Sequence, residues 1–141
     1  MLTANTDLFQ LVAATADLCR KPLRHGVRLA DGTPDTLLSD HPLDCCLHLE
    51  ARGPDGERMI EQDLELEIFQ SGADLHITLA WSADDQRPLL WHGNHPVWME
   101  PSTGERCPQP ADGIPLESLA RRLRSLLLSH EGGAHGLSIE A

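Results

Sequence analysis

Apolar and polar residues alternate along three segments in the middle of the chain, which is the periodicity of a β-strand with one buried face. These segments are residues 44–52, 63–70 and 74–81. In each of them Leu, Ile, Ala, Cys or Trp occupies every second position, and most of the intervening positions are charged or polar. The pattern predicts three strands that share one buried sheet face.

Turn residues separate the three segments, with Asp55-Gly56 in the first gap and Ser71-Gly72 in the second. Gly supplies the positive φ that tight hairpin turns require, so each gap predicts an antiparallel hairpin. Hairpins centred on these turns pair apolar residues throughout: Ala51 with Ile60, Leu47 with Leu64, Cys45 with Leu66, Ile68 with Leu75, Leu66 with Ile77 and Leu64 with Leu79. Because both hairpins agree on one buried face, we predict an antiparallel meander.

Apolar residues recur at three- and four-residue intervals in residues 6–20 and 114–132, which predicts an amphipathic helix at each end. Pro115 suits the first turn of the second helix, and Gly132 suits its end. Shorter strands are predicted at residues 26–30, 88–92, 97–100 and 105–107. The fold class is therefore α+β, with an antiparallel sheet, a three-strand meander plus further strands, packed with an N-terminal and a C-terminal helix.

The length of 141 residues fits a single domain over residues 1–141. Residues 21–43 contain several Pro, Gly and Asp residues and are predicted to form a long irregular connection. Residues 133–141 are predicted to be a flexible tail.

Charge and cysteine content narrow the classes of partner. Eleven basic and 22 acidic residues give a formal charge of −11, which repels phosphate backbones and anionic membranes, so we expect no nucleic-acid or membrane partner. The first residues lack the pattern of a signal peptide and no apolar run is long enough to span a bilayer, which predicts a cytoplasmic protein. The four cysteines form no C-x-x-C pair, so we expect reduced thiols and no cofactor.

Two groups of side chains invite a chemical interpretation. His92 and His95 lie near Cys107 in sequence and offer a candidate metal or ligand site, although their spacing matches no established zinc motif and equally fits a hairpin turn. On the polar face of the meander, Cys46, His48 and Glu65 come close enough to interact locally. His76, on the same face, is separated from His48 by about 16 Å.

Sequence motifs for nucleophilic or phosphate chemistry are absent, so we expect no enzyme activity. The last helix carries the basic residues Arg121, Arg122 and Arg124, which fit either an anion site or, as we prefer, a solvent-exposed helix face.

Four large apolar residues do not fit a fully solvated polar face: Met59, Phe69, Trp91 and Trp98. The predicted register exposes Met59 and Phe69, and the two tryptophans lie on neighbouring strands. Exposed aromatic side chains on a sheet mark protein interfaces more often than reaction centres. We therefore predict these four as partner-binding residues, with the alternative that the 21–43 connection covers Met59 and Phe69.

The C-terminal part of the chain resembles a known family. "LLWHGNHPVWMEPSTGERC" followed by "GIPLESLARRLRSLL" is similar to the pattern of class I chaperones of bacterial type III secretion. Its elements are a Leu pair, an Asn, an apolar strand, a Thr-Gly hairpin and a Pro-Leu opening into a Leu-rich helix. The resemblance covers mainly residues 89–128.

The resemblance implies a non-catalytic chaperone that forms a homodimer or heterodimer and holds an extended segment of a secreted effector or a regulator. One departure concerns architecture. Those chaperones carry a second helix between the meander and the last strands, and here Pro88 and Gly93 leave little room for it. The alternative function is a small metal- or ligand-binding protein with a site near His92, His95 and Cys107, or a regulatory subunit.

Overall fold

The computed structural model describes residues 4–30 and 45–132. Helix α1 spans Ala4–Cys19 and helix α2 spans Ile114–Gly132. Between them lie six strands and a short 3₁₀ helix: β1 Arg24–Leu29, β2 Cys45–Arg52, the 3₁₀ helix Ile60–Gln62, β3 Leu64–Ser71, β4 Asp74–Trp81, β5 Leu89–His92 and β6 Pro96–Met99.

The six strands form one antiparallel sheet in the order β1-β2-β3-β4-β5-β6, so every strand pairs with its neighbour in sequence. One face of the sheet is buried against both helices, and this face carries the alternating apolar residues of the meander. The largest fully buried side chains include Leu47, Leu49, Leu64, Leu66, Ile68, Leu75, Ile77, Leu79, Leu90, Leu116 and Leu119. The structure confirms the predicted α+β class and the predicted buried face.

The predicted registers of both hairpins were wrong by two residues. Leu47 lies opposite Leu66 rather than Leu64, and Leu66 lies opposite Leu79 rather than Ile77. The 3₁₀ helix lengthens the first connection, and the second turn is at Gly72-Ala73, where Gly72 adopts a φ of +60°. Because side chains alternate with a period of two, an offset of two residues leaves every side chain on its predicted face.

Helix α2 is attached to the sheet by a side chain that the sequence placed on a solvent face. The Arg124 guanidinium donates from Nε to the Leu75 carbonyl oxygen at 2.9 Å and is half-buried. Arg121 and Arg122 are exposed, as expected for a solvent face. The three arginines therefore do not act as one cluster.

The connections differ in part from the sequence prediction. The strand predicted at residues 26–30 is present as β1, whereas residues 31–43 of the predicted long connection, and the predicted tail 133–141, lie outside the described residues. The strand predicted at residues 105–107 is reduced to one bridge between Met99 and Arg106. The segment between β4 and β5 contains turns and no helix, as Pro88 predicted. Neither described helix is long and apolar enough to cross a membrane.

Candidate functional site

The sheet face that points away from the helices, called the outer face below, carries the candidate site. Along β3 to β5 it presents a stack of three rings, Phe69, His76 and Trp91, which we call the aromatic ladder. At the opposite end of the meander it presents a network of ionisable and hydroxyl side chains, which we call the polar cluster. Its members are His48, Arg58, Asp63, Glu65 and Ser82.

The aromatic ladder crosses three adjacent strands. The rings of Phe69 and His76 have centroids 6.1 Å apart and planes inclined by 24°, and His76 and Trp91 are 5.4 Å apart with 17° between planes. Phe69 lies directly opposite His76 in the register. Such stacked pairs each contribute about 0.5–1.5 kcal/mol beyond the area that they bury, so the ladder holds its rings in a fixed arrangement.

Gly93 leaves the space in which the ladder is built. A Cβ atom at this position would lie 2.9 Å from Cη2 of Trp91 and 3.2 Å from Nδ1 of His76. That nitrogen is buried and has no hydrogen-bond partner among the described atoms. Any larger residue at position 93 would displace the Trp91 ring, so this glycine is required by close packing.

The ladder ends in an exposed ring. The Phe69 side chain is 50% exposed, which is the largest exposed fraction of any aromatic side chain in the described ranges, whereas Trp91 is half-buried. Half-buried apolar residues on the outer face continue the patch beyond Trp91: Leu89, Val97 and Met99. This half of the outer face offers an apolar contact surface with one protruding anchor.

Two of the four predicted partner-binding residues lie elsewhere. Trp98 is 4% exposed in the core, and its indole N–H donates to Oε2 of Glu117 at 2.6 Å, so its side chain is not part of the outer face, and its contact with a partner stays a prediction. It lies opposite Leu90 on the buried face. Met59 is half-buried, and its backbone N–H donates to the Ala51 carbonyl oxygen at the other end of the meander. At the rise per residue of a β-strand, this position is roughly 20 Å from Phe69.

Asp63 is the centre of the polar cluster. Its carboxylate accepts hydrogen bonds from the Ala51 backbone N–H at 2.8 Å and from both terminal nitrogens of Arg58 at 2.9 and 3.0 Å. Nε2 of His48 lies 3.2 Å from its second oxygen. Burial opposes ionisation of Asp63, but the bonds from Arg58, Ala51 and His48 outweigh it and hold the pKa of this carboxyl below its usual range.

His48 and Ser82 complete the cluster around Glu65. Nδ1 of His48 is 2.7 Å from Oε2 of Glu65, and the Ser82 hydroxyl donates to the same oxygen at 2.9 Å. Ser82 Oγ is also 3.3 Å from His48 Nδ1, while its own hydrogen is directed at Glu65. The imidazole is therefore occupied by carboxylates on both sides, and the arrangement is an ion-pair network rather than a nucleophile with its base.

The predicted local group of Cys46, His48 and Glu65 is only partly formed. His48 and Glu65 interact, but Cys46 is exposed and lies opposite Glu67. Partial desolvation of the sulfur, followed by the charges of Glu67 and Glu65, raises the pKa of its thiol, which disfavours the thiolate that a metal ligand requires.

The other candidate site is not assembled. The His92 ring is buried on the inner face and its Nδ1 donates to the Gly93 carbonyl oxygen at 3.0 Å, while His95 is exposed in the following turn. The Cys107 backbone N–H donates to the Trp98 carbonyl oxygen on β6, so β6 lies between Cys107 and the strand of His92. Two strand spacings put the backbone of Cys107 about 10 Å from β5. Across residues 4–30 and 45–132, His, Cys, Asp and Glu form no group of three with the geometry to hold a metal ion.

A family model described as Domain of unknown function (DUF8659) matches residues 9–126. The match covers most of the chain, which therefore belongs to this family. Searches of curated proteins and of solved structures gave no match.

Proposed function

We propose that this member of the DUF8659 family is a non-catalytic protein-binding module that holds an extended segment of another protein. The proposal takes the binding role from the class I type III secretion chaperones that the sequence resembles. The partner that we propose is a secreted effector or a regulator. Phe69 carries the proposal, because its ring is half exposed at the end of a ring stack on the apolar half of the outer face.

Energetics support the ladder as a binding anchor. A Phe side chain offers about 150–250 Å² of apolar surface, so covering the exposed half of Phe69 would contribute roughly 2–3 kcal/mol at 25 cal/mol per Å². Stacking on His76 already restricts the ring, which lowers the entropy lost on binding. A neighbouring half-buried Trp91 extends the contact area.

The rest of the outer face supports binding rather than catalysis. In the polar cluster both ring nitrogens of His48 face carboxylate oxygens, and the Ser82 hydroxyl is bonded to Glu65. The net charge of −11 keeps such a module soluble while an apolar patch is uncovered, and it repels acidic competitors over most of the surface.

The proposal is tested with three immobilised baits: the wild-type chain, Phe69→Asp and Ile114→Asp. Ile114 is 63% exposed at the start of α2, so its substitution adds the same charge at a site away from the ladder. Proteins retained by the wild type and by Ile114→Asp, and lost from Phe69→Asp, are the expected clients. A folded Phe69→Asp variant that retains the same proteins would contradict the assignment of this surface.

The oligomeric state is tested on the same complexes by light scattering after size exclusion. A homodimer that carries a client has two chains of 15.5 kDa for each client, and a heterodimer has one. The resemblance predicts one of these two compositions. A module that binds no protein at all would remove the chaperone proposal.

A further inference from the structure

Phe69, at the end of the aromatic ladder, has one face of its ring covered and the other uncovered. His76 on β4 stacks on the covered face, with 24° between the ring planes. The side chain is nevertheless 50% exposed, so the exposed part includes the ring face on the side of β2. A planar group from another molecule can lie flat on this face.

A carboxylate without a partner lies beside the uncovered ring face. Glu67 is two residues before Phe69 on β3 and projects from the same face of the sheet, so their Cα atoms are about 7 Å apart. Glu67 is exposed, and its carboxylate forms no hydrogen bond or ion pair with the other described residues. A flat apolar surface and an uncommitted anion are therefore available at one place.

The charged groups of this half of the sheet are acidic. Strands β3 to β6 contain no Lys or Arg and three carboxylates, all on the outer face: Glu65, Glu67 and Asp74. Arg124 of α2 reaches the start of β4, where its guanidinium bonds the Leu75 carbonyl oxygen. Arg106 is at the far edge of the sheet, beyond β6. By its charge, the surface around Phe69 complements a cation.

The same chain already holds an arginine between a ring and a carboxylate. On the buried side of β4, Cζ of Arg87 is 3.7 Å from the centroid of the Trp81 ring, and Nη2 of Arg87 donates to Oδ2 of Asp112. A guanidinium makes both contacts at once, because its plane stacks on the ring while its N–H groups point outwards in that plane. Phe69 and Glu67 present the same two kinds of group, and no arginine in the described ranges pairs with them.

A second copy of the chain is a poor occupant of this place. Each copy carries a net charge of −11, so two copies that met through these acidic halves would repel each other. A basic segment of a different protein is attracted by the same charge. Charge complementarity therefore favours a partner of another sequence.

We propose that the partner places an arginine side chain between Phe69 and Glu67, with the guanidinium flat on the uncovered ring face and its N–H groups donating to the carboxylate. The inference rests on the proposed protein-binding function and adds the chemistry of the bound segment, which is basic. Arginine is favoured over lysine because the lysine ammonium is a compact, strongly hydrated point charge that does not stack as a plane.

The probes are three fluorescein-labelled peptides of eight residues, in which Leu alternates with Arg, with Lys or with Glu. Fluorescence anisotropy measures their binding to the wild-type chain. We expect the Arg peptide to bind at least fivefold more tightly than the Lys peptide, and the Glu peptide not to bind. Because the Arg and Lys peptides have the same charge, the difference between them reports stacking and planar hydrogen bonding rather than general attraction.

Three variants locate the arginine. Glu67→Gln removes the carboxylate, and Glu61→Gln is the matched control, since Glu61 is exposed on the 3₁₀ helix at the other end of the meander. Phe69→Leu keeps an apolar side chain but removes the flat ring. Binding of the Arg peptide should weaken at least fivefold in Glu67→Gln and less than twofold in Glu61→Gln. In Phe69→Leu the affinities for the Arg and Lys peptides should lie within twofold of each other.

Four results would overturn the inference. They are equal wild-type affinities for the Arg and Lys peptides, no binding of the Arg peptide to the wild type, equal losses in Glu67→Gln and Glu61→Gln, and an undiminished preference for Arg in Phe69→Leu. Circular dichroism checks that each variant is folded, and if Phe69→Leu is not, the two Gln variants decide. A wild-type dimer that Glu67→Gln dissociates, measured by light scattering, would assign the place to a second copy and would also overturn it.

The cellular clients separate this inference from the proposed function. Clients that depend on Phe69 but are retained equally by the wild type and by Glu67→Gln would overturn the arginine inference alone. Peptide affinities as expected, together with no client that depends on Phe69, would overturn the proposed function alone.

Discussion

Replacement of Asp63 by Ala provides the sharpest test of the polar cluster. The carboxylate is 4% exposed and accepts four contacts, from the Ala51 N–H, from two nitrogens of Arg58 and from His48. Removing it leaves a buried backbone N–H unsatisfied, which costs about 1–3 kcal/mol. The Arg58 side chain is 30% exposed and regains water, so loss of that pair adds about 1 kcal/mol.

The expected total is about 3 kcal/mol of lost stability, or a fall in Tm of roughly 10 °C for a domain of this size. Urea unfolding followed by tryptophan fluorescence measures it, because Trp81 and Trp98 are buried. Glu65→Ala is the matched control, since it removes a carboxylate that is 45% exposed from the same cluster and should cost less than about 1 kcal/mol.

The pH dependence gives the Asp63→Ala comparison a second readout. Because the folded pKa of Asp63 is below its unfolded value of about 3.9, its contribution is complete above that value and is lost as the pH falls through the folded pKa. The wild type should therefore lose more stability than Asp63→Ala between pH 5 and pH 2. The extra loss should begin near the unfolded pKa of about 3.9 and grow as the pH falls further. Equal losses of stability in Asp63→Ala and Glu65→Ala, with parallel acid profiles, would refute the central role of Asp63.

Three further outcomes follow from single contacts. Burial lowers the pKa of His25, whose Nε2 accepts a hydrogen bond from Arg20, so the unfolded chain takes up a proton at a higher pH than the folded chain does. The free energy of unfolding should therefore fall as the pH drops from 7.5 to 5.5. Urea unfolding at several pH values should show a smaller fall for His25→Gln, and an equal fall would contradict this. Gly93→Ala should shift the Trp91 ring and alter the near-ultraviolet circular dichroism, while Gly26→Ala, with open space around its Cβ, should not. Trp98→Phe loses the bond to Glu117 and should cost about 1–2 kcal/mol in urea unfolding, and no loss would show that Glu117 does not hold the indole.

Much of the fold could be predicted from residue periodicity. The alternation along β2, β3 and β4 assigned each side chain to the correct face even though both registers were offset by two residues. The first offset came from the 3₁₀ helix at Ile60–Gln62, whose residues carry no local signal that distinguishes a helical turn from a longer strand, and the second came from the position of the turn at Gly72-Ala73. Such an error does not change the face on which a side chain lies, because side chains alternate with a period of two and a shift of two residues returns each of them to the same face.

The candidate site was predicted less completely. The exposure of Phe69 followed from the alternation of side chains along β3, whereas the burial of Trp98 was not predicted, because the short turn between β5 and β6 does not reveal which face β6 buries. Arg58 and Ser82 were missed as members of the polar cluster. They come from connections at the ends of β2 and β4, and no motif in the sequence links them to His48.

The sequence by itself determined the two helices, the strands of the meander, the faces that they bury and the acidic net charge, since these depend on local periodicity and composition. Only the tertiary structure decided that Phe69, His76 and Trp91 stack and that Asp63 contacts both Arg58 and His48. Each of these features joins residues from different strands or connections. Their meeting depends on the register and on the order of strands in the sheet, which are set by the lowest free energy of the whole packed chain rather than by neighbours in sequence.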